Sequence, residues 1–153
     1  MSSVSTDIPL DERLCLALYN ASRAMTARYR PALSHLGLTY PQYVVMVLLW
    51  EDDGETVGQI GARLGLDSNT LSPLLKRLEA LGLVTRTRDV RDERTVRIGL
   101  TPLGRATRRQ AAGVPDEICG AVGLSEIGQA ALVRQLRALA RRLEASTRSV
   151  VHD

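Results

Sequence analysis

No phenylalanine occurs in this chain, and four tyrosines and one tryptophan are its whole aromatic content, so those tyrosines have to fill the aromatic slots of the fold. Only two cysteines are present, Cys15 and Cys119. In a reducing compartment such a pair is no structural staple. There is no Cys-x-x-Cys pair, and His35 and His152 do not sit at metal-ligand spacings, so no metal site is expected. No apolar run is long enough to span a bilayer, and Met1-Ser2-Ser3 begins no signal peptide. The expectation is a cytoplasmic protein with no membrane partner. A phosphate-binding glycine loop, an internal repeat and a low-complexity tract are all missing, so no cofactor is expected and an enzyme is not the expected class. Lysine occurs once, at Lys76; the basic charge is otherwise arginine.

What is present suits a globular domain with a real core: 153 residues, 44% hydrophobic and 24% charged. The net charge of +3 is compatible with nucleic acid without deciding it. The distribution says more. Thr56 to Leu64 reads as a helix with Val57, Ile60 and Leu64 on one face, and Gly65-Leu66 as a turn. Asp67-Ser68 offers an N-cap, after which Leu71, Leu74, Leu75 and Leu78 repeat at helical spacing until Gly82. A helix, a glycine turn and a helix with a polar start make a helix-turn-helix, whose second helix enters the major groove. Leu83–Arg88 and Thr95–Leu100 then read as two strands, with Val96, Ile98 and Leu100 alternating with Thr95, Arg97 and Gly99. Arg86, Arg88, Arg91, Arg94 and Arg97 make this hairpin a basic wing.

Within that winged helix-turn-helix, Asn69 is suited to read adenine, and Ser68, Thr70 and Ser72 to touch bases or phosphates. Lys76 and Arg77 suit phosphates. Arg94 is the candidate for the minor groove, with Arg86, Arg88 and Arg91 near the backbone and Asp92 orienting Arg94. Asp67 is either part of the contact surface or only a cap. Pro73 lies inside the recognition helix and removes one backbone bond, with no direction of kink implied.

Upstream, Asp11 to Arg30 reads as a long helix closed by Pro31, with a short helical piece over 32–36. Gln42 to Trp50 is an apolar helix entered through Thr39, Tyr40 and Pro41, and buried on most sides. Downstream, Thr101-Pro102 starts a helix to about Ala112, Gly113-Val114-Pro115 breaks it, and a loose segment carries Cys119 through Gly120 to Gly123. Ser125 caps a last helix with Ile127, Leu132, Leu136, Leu139 and Leu143 apolar. Residues 1–8 and the last few are expected to fray. The stripes of the first and last helices suit dimerisation more than plain core packing, because helix-turn-helix proteins bind paired half-sites as twofold dimers.

The chain resembles the MarR family of winged-helix regulators through Asp92-Glu93-Arg94, and within it the OhrR-type organic-hydroperoxide-sensing repressors. The latter resemblance rests on 14–19, 22–26, 38–43 and 66–79, in the right order and spacing. Asn69 and Ser72 depart from that pattern, which has glycine and threonine there. The resemblance implies a mainly α fold with a small β-hairpin wing, as one domain over 1–153. Residues 40–101 form the winged module, and 10–36 and 102–148 the dimerisation helices. It implies a homodimeric repressor that holds an inverted-repeat operator in double-stranded DNA, and releases it when organic hydroperoxide oxidises Cys15.

Geometry supports a sensor of this kind. Cys15 and Tyr19 are helix neighbours. Tyr29 lies fourteen residues on from Cys15, about 21 Å along a straight helix, so only a partner crossing the other way can bring it to that thiol. Phenol hydroxyls donating to sulfur favour the thiolate that attacks a peroxide, giving a sulfenic acid first. The resemblance implies that Tyr29 and Tyr40 come from the other subunit, and that Cys119 is a resolving cysteine forming an intersubunit disulfide with Cys15. Plainer readings stand beside these: Cys15 as a small buried hydrophobe, the tyrosines as packing, His35 as a surface residue. Two other functions compete. One is a MarR-type repressor released by a small aromatic or anionic ligand; the other, less favoured, is a thiol peroxidase using both cysteines.

Overall fold

The computed structural model describes residues 8–150; most of the stretches expected to fray lie outside these, as does His152. The chain falls into two compact units, one through Pro115 and one from Asp116 on. The first holds five helices and a hairpin. α1 spans Leu14–Leu33, α2 Tyr40–Glu51, α3 Val57–Leu64, α4 Ser68–Ala80, β1 Val84–Arg88, β2 Val96–Leu100 and α5 Pro102–Gln110. This is a winged helix-turn-helix preceded by a long helix.

Two sequence expectations about the first helix are corrected. Asp11 and Glu12 belong to a separate 3-10 turn, Leu10–Glu12, and extended Arg13 precedes α1. Pro31 does not close the helix, which continues to Leu33. A proline removes the bond its own N–H would have made and crowds the carbonyl four residues back, a local cost. Ala32 and Leu33, in the turn after it, are buried, and that burial holds the turn in helical form. Gly37, with φ 65°, then reverses the chain.

α2 opens on a capping box. The Gln42 N–H donates to Thr39 Oγ1 at 3.5 Å and the Thr39 N–H donates to Gln42 Oε1 at 3.0 Å. Its Val45, Met46, Leu48 and Leu49 sit in the core with Ile60 of α3, Leu71, Leu75 and Leu78 of α4, and Val84, Ile98 and Leu100 of the hairpin. A core without phenylalanine is therefore built mainly from branched aliphatic side chains, with Met46 among them. α3 opens on a second capping box, Thr56 with Gln59, and ends at Gly65 in the left-handed conformation, φ 66°. Asp67 caps α4. The strands pair antiparallel with Val84 opposite Leu100 and Arg88 opposite Val96, one residue shorter at Leu83 and Thr95 than the alternation predicts.

The wing is tied to the turn between α2 and α3. The Ile98 N–H donates to the Glu55 carbonyl at 2.9 Å and the Leu100 N–H to Asp53 Oδ1 at 2.8 Å. Arg63 gathers Glu51, Asp52 and Glu55 at 3.1, 2.8 and 2.7 Å, and its guanidinium pKa is raised, first by the bond to Glu55.

α6 spans Val114–Val122 and α7, in the second unit, Glu126–Val150. The segment carrying Cys119 is thus helical rather than loose, Gly120 included. Pro115 sits in the first turn of α6, where a proline N–H is not needed. Ser125 caps α7 as expected, accepting from the Gly128 N–H at 3.1 Å. No described residue of α7 is buried, and Ile127, Leu132, Leu136 and Leu143 of its apolar stripe are exposed. Among the described residues no single helix is long and apolar enough to cross a membrane.

Candidate nucleic-acid interface and thiol site

α4 divides its residues by helical geometry. Leu71, Leu75 and Leu78 are fully buried, and on a helix of 3.6 residues per turn Asn69 and Lys76 fall on the opposite side and Ser72 on the flank. Ser68, Asn69 and Thr70 are exposed in the first turn, Ser72 is half-buried, and Lys76 and Arg77 are exposed. Asp67 acts locally, since its Oδ1 accepts the Thr70 N–H at 2.7 Å, and this bond holds its carboxyl below the usual aspartate range. The helix runs through Pro73 to Ala80.

The hairpin rises beside this helix. Arg86 is half-buried, while Arg88, Arg91 and Arg94 are exposed. Thr56, Val57, Ser68, Ser72, Arg86 and Arg94 line a groove of about 410 Å³ between the start of α3, the start of α4 and the wing. Asp92 holds Arg94 through the backbone: its Oδ1 accepts the Arg94 N–H at 3.0 Å, and its Oδ2 accepts the Thr95 hydroxyl at 3.3 Å. Arg97, counted among the positive charges of the ribbon, is instead turned onto an acid of the wing loop and a carbonyl of the α2–α3 turn. Its Nε donates to Asp89 Oδ2 at 2.8 Å and its Nη1 to the Gly54 carbonyl at 3.1 Å.

The thiol residues lie on other elements. Cys15 is exposed in the first turn of α1, which excludes the buried-hydrophobe reading within the single chain. Tyr19, one turn on, is 61% exposed with the Arg23 guanidinium 5.4 Å from its ring centroid. α1 is unbroken to Leu33, so Tyr29 lies about 21 Å along the axis from Cys15 of the same chain. Tyr29 instead meets Tyr40 with ring centroids 4.7 Å apart, and Tyr43 at 5.7 Å. Tyr43, which the sequence did not single out as a site residue, completes this group. It is buried, and burial first, then Tyr40, raises its phenol pKa. Its place in the sequence, three after Tyr40 on one helix, is the signal that points to it. Cys119 is exposed on α6, its thiol donating to Gln129 Oε1 at 3.5 Å, while Gln129 Nε2 donates to the Leu124 carbonyl at 3.0 Å. His35 is exposed and meets the Gln110 carbonyl at 2.9 Å. Among the described residues no cluster of histidine, cysteine and carboxylate side chains is built to hold a metal.

Comparison with known proteins follows this division. Residues 27–109 match the transcriptional regulator SarA/Rot family, a span that begins after Cys15. The chain is 46% identical over 147 residues to the HTH-type transcriptional regulator TtmR of Methylorubrum extorquens, covering 95% of this chain and 75% of that protein. It is 48% identical over 111 residues to the organic hydroperoxide resistance transcriptional regulator of Bacillus subtilis, 72% of this chain and 76% of that one. Among solved structures, reduced AbfR bound to DNA is 35% identical and superposes with a TM-score of 0.75 over 88% of this chain and 93% of that one. AbfR with its disulfide formed, 36% identical, gives 0.64 over 86% and 92%.

Proposed function

The chain belongs to the MarR-like SarA/Rot family of winged-helix transcriptional regulators, and from that premise we propose that it is a cytoplasmic homodimeric repressor whose operator grip is switched by organic hydroperoxide at Cys15. α4 enters the major groove, with Asn69, Ser68, Thr70 and Ser72 at base edges and phosphates. Lys76 and Arg77 meet phosphates. Arg94, presented by Asp92, enters the minor groove, and Arg86, Arg88 and Arg91 lie along the backbone. Asp67 acts as the cap that fixes the first turn.

The observation that carries the sensing half is the placement of Cys15. It is exposed on the same helix as Tyr29 and about 21 Å along the axis from Tyr29 of its own chain, so it takes a partner crossing in the opposite direction to bring that tyrosine to it. The uncovered apolar stripe of α7 supports such a pairing, and so does the kinship with a regulator named for organic hydroperoxide resistance. In this reading the Cys15 thiolate attacks the peroxide. A sulfur–oxygen bond forms, the oxygen–oxygen bond breaks, and an alcohol leaves a sulfenic acid behind. The Cys119 thiol of the partner then displaces water to give a disulfide, which requires its Cα within about 7 Å and so draws helices together. A shift of paired recognition helices away from their spacing of about 34–36 Å unseats the dimer.

A gel shift on an inverted-repeat duplex tests this, with reduced protein, protein plus organic hydroperoxide, and the Cys15→Ser and Cys119→Ser variants. Peroxide should release wild type and leave Cys15→Ser bound. Non-reducing electrophoresis should show a linked dimer that Cys119→Ser lacks. Release of Cys15→Ser by peroxide would refute the sensor.

A further inference from the structure

The wing tip contains the same three-residue device twice. In Asp92-Glu93-Arg94 the carboxylate accepts the arginine N–H two residues on, at 3.0 Å. In Asp89-Val90-Arg91 it does the same, Asp89 Oδ1 to the Arg91 N–H, also at 3.0 Å. Each is an Asx turn, which folds the chain so that the residue after the aspartate stands at the apex. Val90 is accordingly fully exposed. The two turns differ in what their second oxygen does. Asp92 Oδ2 stays local, on Thr95. Asp89 Oδ2 accepts Arg97 Nε from β2, and Arg97 in turn donates to the Gly54 carbonyl in the α2–α3 turn. A continuous chain of bonds therefore runs from the body of the domain to the tip of the wing.

We propose that Asp89 and Arg97 are positioning residues that lock the wing tip, and Arg91 with it, against the α2–α3 turn, so that the grip of the wing on duplex DNA depends on a carboxylate. This rests on the reading of the wing as a DNA contact. The geometry is that of a strut rather than a contact. The Asp89 side chain is only 15% exposed although it stands in a surface loop, and both its oxygens are engaged. The loop closes over it through the Asp89 N–H to the Thr95 carbonyl, 2.7 Å, and the Thr95 N–H to the Asp92 carbonyl, 2.9 Å. The carboxyl is held below the usual aspartate range, first by the Arg91 N–H and then by the Arg97 guanidinium, so it is ionised at neutral pH. Arg97 directs its guanidinium at an acid and a carbonyl, which leaves less of it for a phosphate than Arg94 has.

Simple electrostatics and the positioning role predict opposite signs. A carboxylate on a DNA-facing wing repels phosphates, so deleting it should tighten binding if that is all it does. The test uses full-length wild type, Asp89→Ala, Asp89→Asn and Arg97→Ala, with duplexes that the wild-type protein selects from a random pool, at several salt concentrations. Asp89→Ala and Arg97→Ala are expected to weaken binding about tenfold, and the salt slope to fall by about 1 in Asp89→Ala, which removes no cation of its own but frees Arg91. Asp89→Asn, which keeps an acceptor for the Arg91 N–H, should fall between. Binding by Asp89→Ala as tight as wild type or tighter, or weaker binding with the wild-type salt slope, would overturn the proposal. Amide hydrogen exchange at Arg91 in the free protein decides the structural half without DNA. Exchange should be faster in both alanine variants, and unchanged exchange rejects the strut. If wild type selects no duplex while Arg91 exchange still responds, it is the DNA reading that fails and not the strut.

Discussion

Tyr29 of α1 and Tyr40 at the start of α2 stack within one chain, ring centroids 4.7 Å apart and planes tilted by 43°. The pair joins the helix that carries Cys15 to the helix at the centre of the core, with buried Tyr43 as a third ring. The two rings thus hold each other in place. Replacing Tyr29 by Phe keeps the stack and removes one hydroxyl. In the proposed sensor Tyr29→Phe should bind DNA as wild type does and lose its Cys15 thiol to organic hydroperoxide about tenfold more slowly. Stopped-flow thiol loss beside a gel shift of the reduced protein measures the two halves separately.

Arg94 stands exposed at the wing, its backbone fixed by Asp92. Arg94→Ala should weaken duplex binding and lower the slope of log K against log salt by about 1, the signature of one cation lost from the interface. Titration by fluorescence anisotropy across salt concentrations reads this. A weaker complex with the wild-type slope would place Arg94 away from the DNA.

The Asp67 cap carries a pH dependence with a definite sign. Its carboxyl pKa in the folded chain is lowered by the Thr70 N–H, so the stabilisation is present above the unfolded value of about 3.9 and disappears as pH falls through the folded value. Asp67→Ala should lower the melting temperature at pH 7 by roughly 2–4 °C. The gap to wild type should close in acid. Asp67→Asn, still a good cap, should stay near wild type at neutral pH and lack that acid limb.

Gly104 is buried in the first turn of α5, and a Cβ there would overlap the Leu83 carbonyl oxygen and press on its carbon at 3.1 Å. Backbone cannot turn aside as a side chain can. Gly104→Ala should therefore destabilise the fold by about 2–3 kcal/mol, seen as a lower urea midpoint with unchanged slope. Gly58→Ala makes the control, since a Cβ there meets only Thr56 Oγ1 at 4.0 Å.

The sequence alone determined the order of elements from α2 to α5, because the signals are local. Thr39, Asp67 and Thr101 are caps whose partners lie three residues away, Gly65 and Gly82 are stops, and alternation marks β2. It also made Cys15, the tyrosines and the wing arginines visible as candidates. The helical continuation past Pro31 and across Gly120 was hidden, since local propensity argues against each and burial is not local: Ala32 and Leu33, just past Pro31, are buried. Above all, charge in a sequence carries no direction. Arg94 and Arg97 belong to the same ribbon, yet Arg94 stands at the surface while Arg97 turns back to Asp89 and Gly54. Only the folded α2–α3 turn brings that carbonyl, 43 residues upstream, within reach, and so only tertiary structure decides which arginine holds the wing in place.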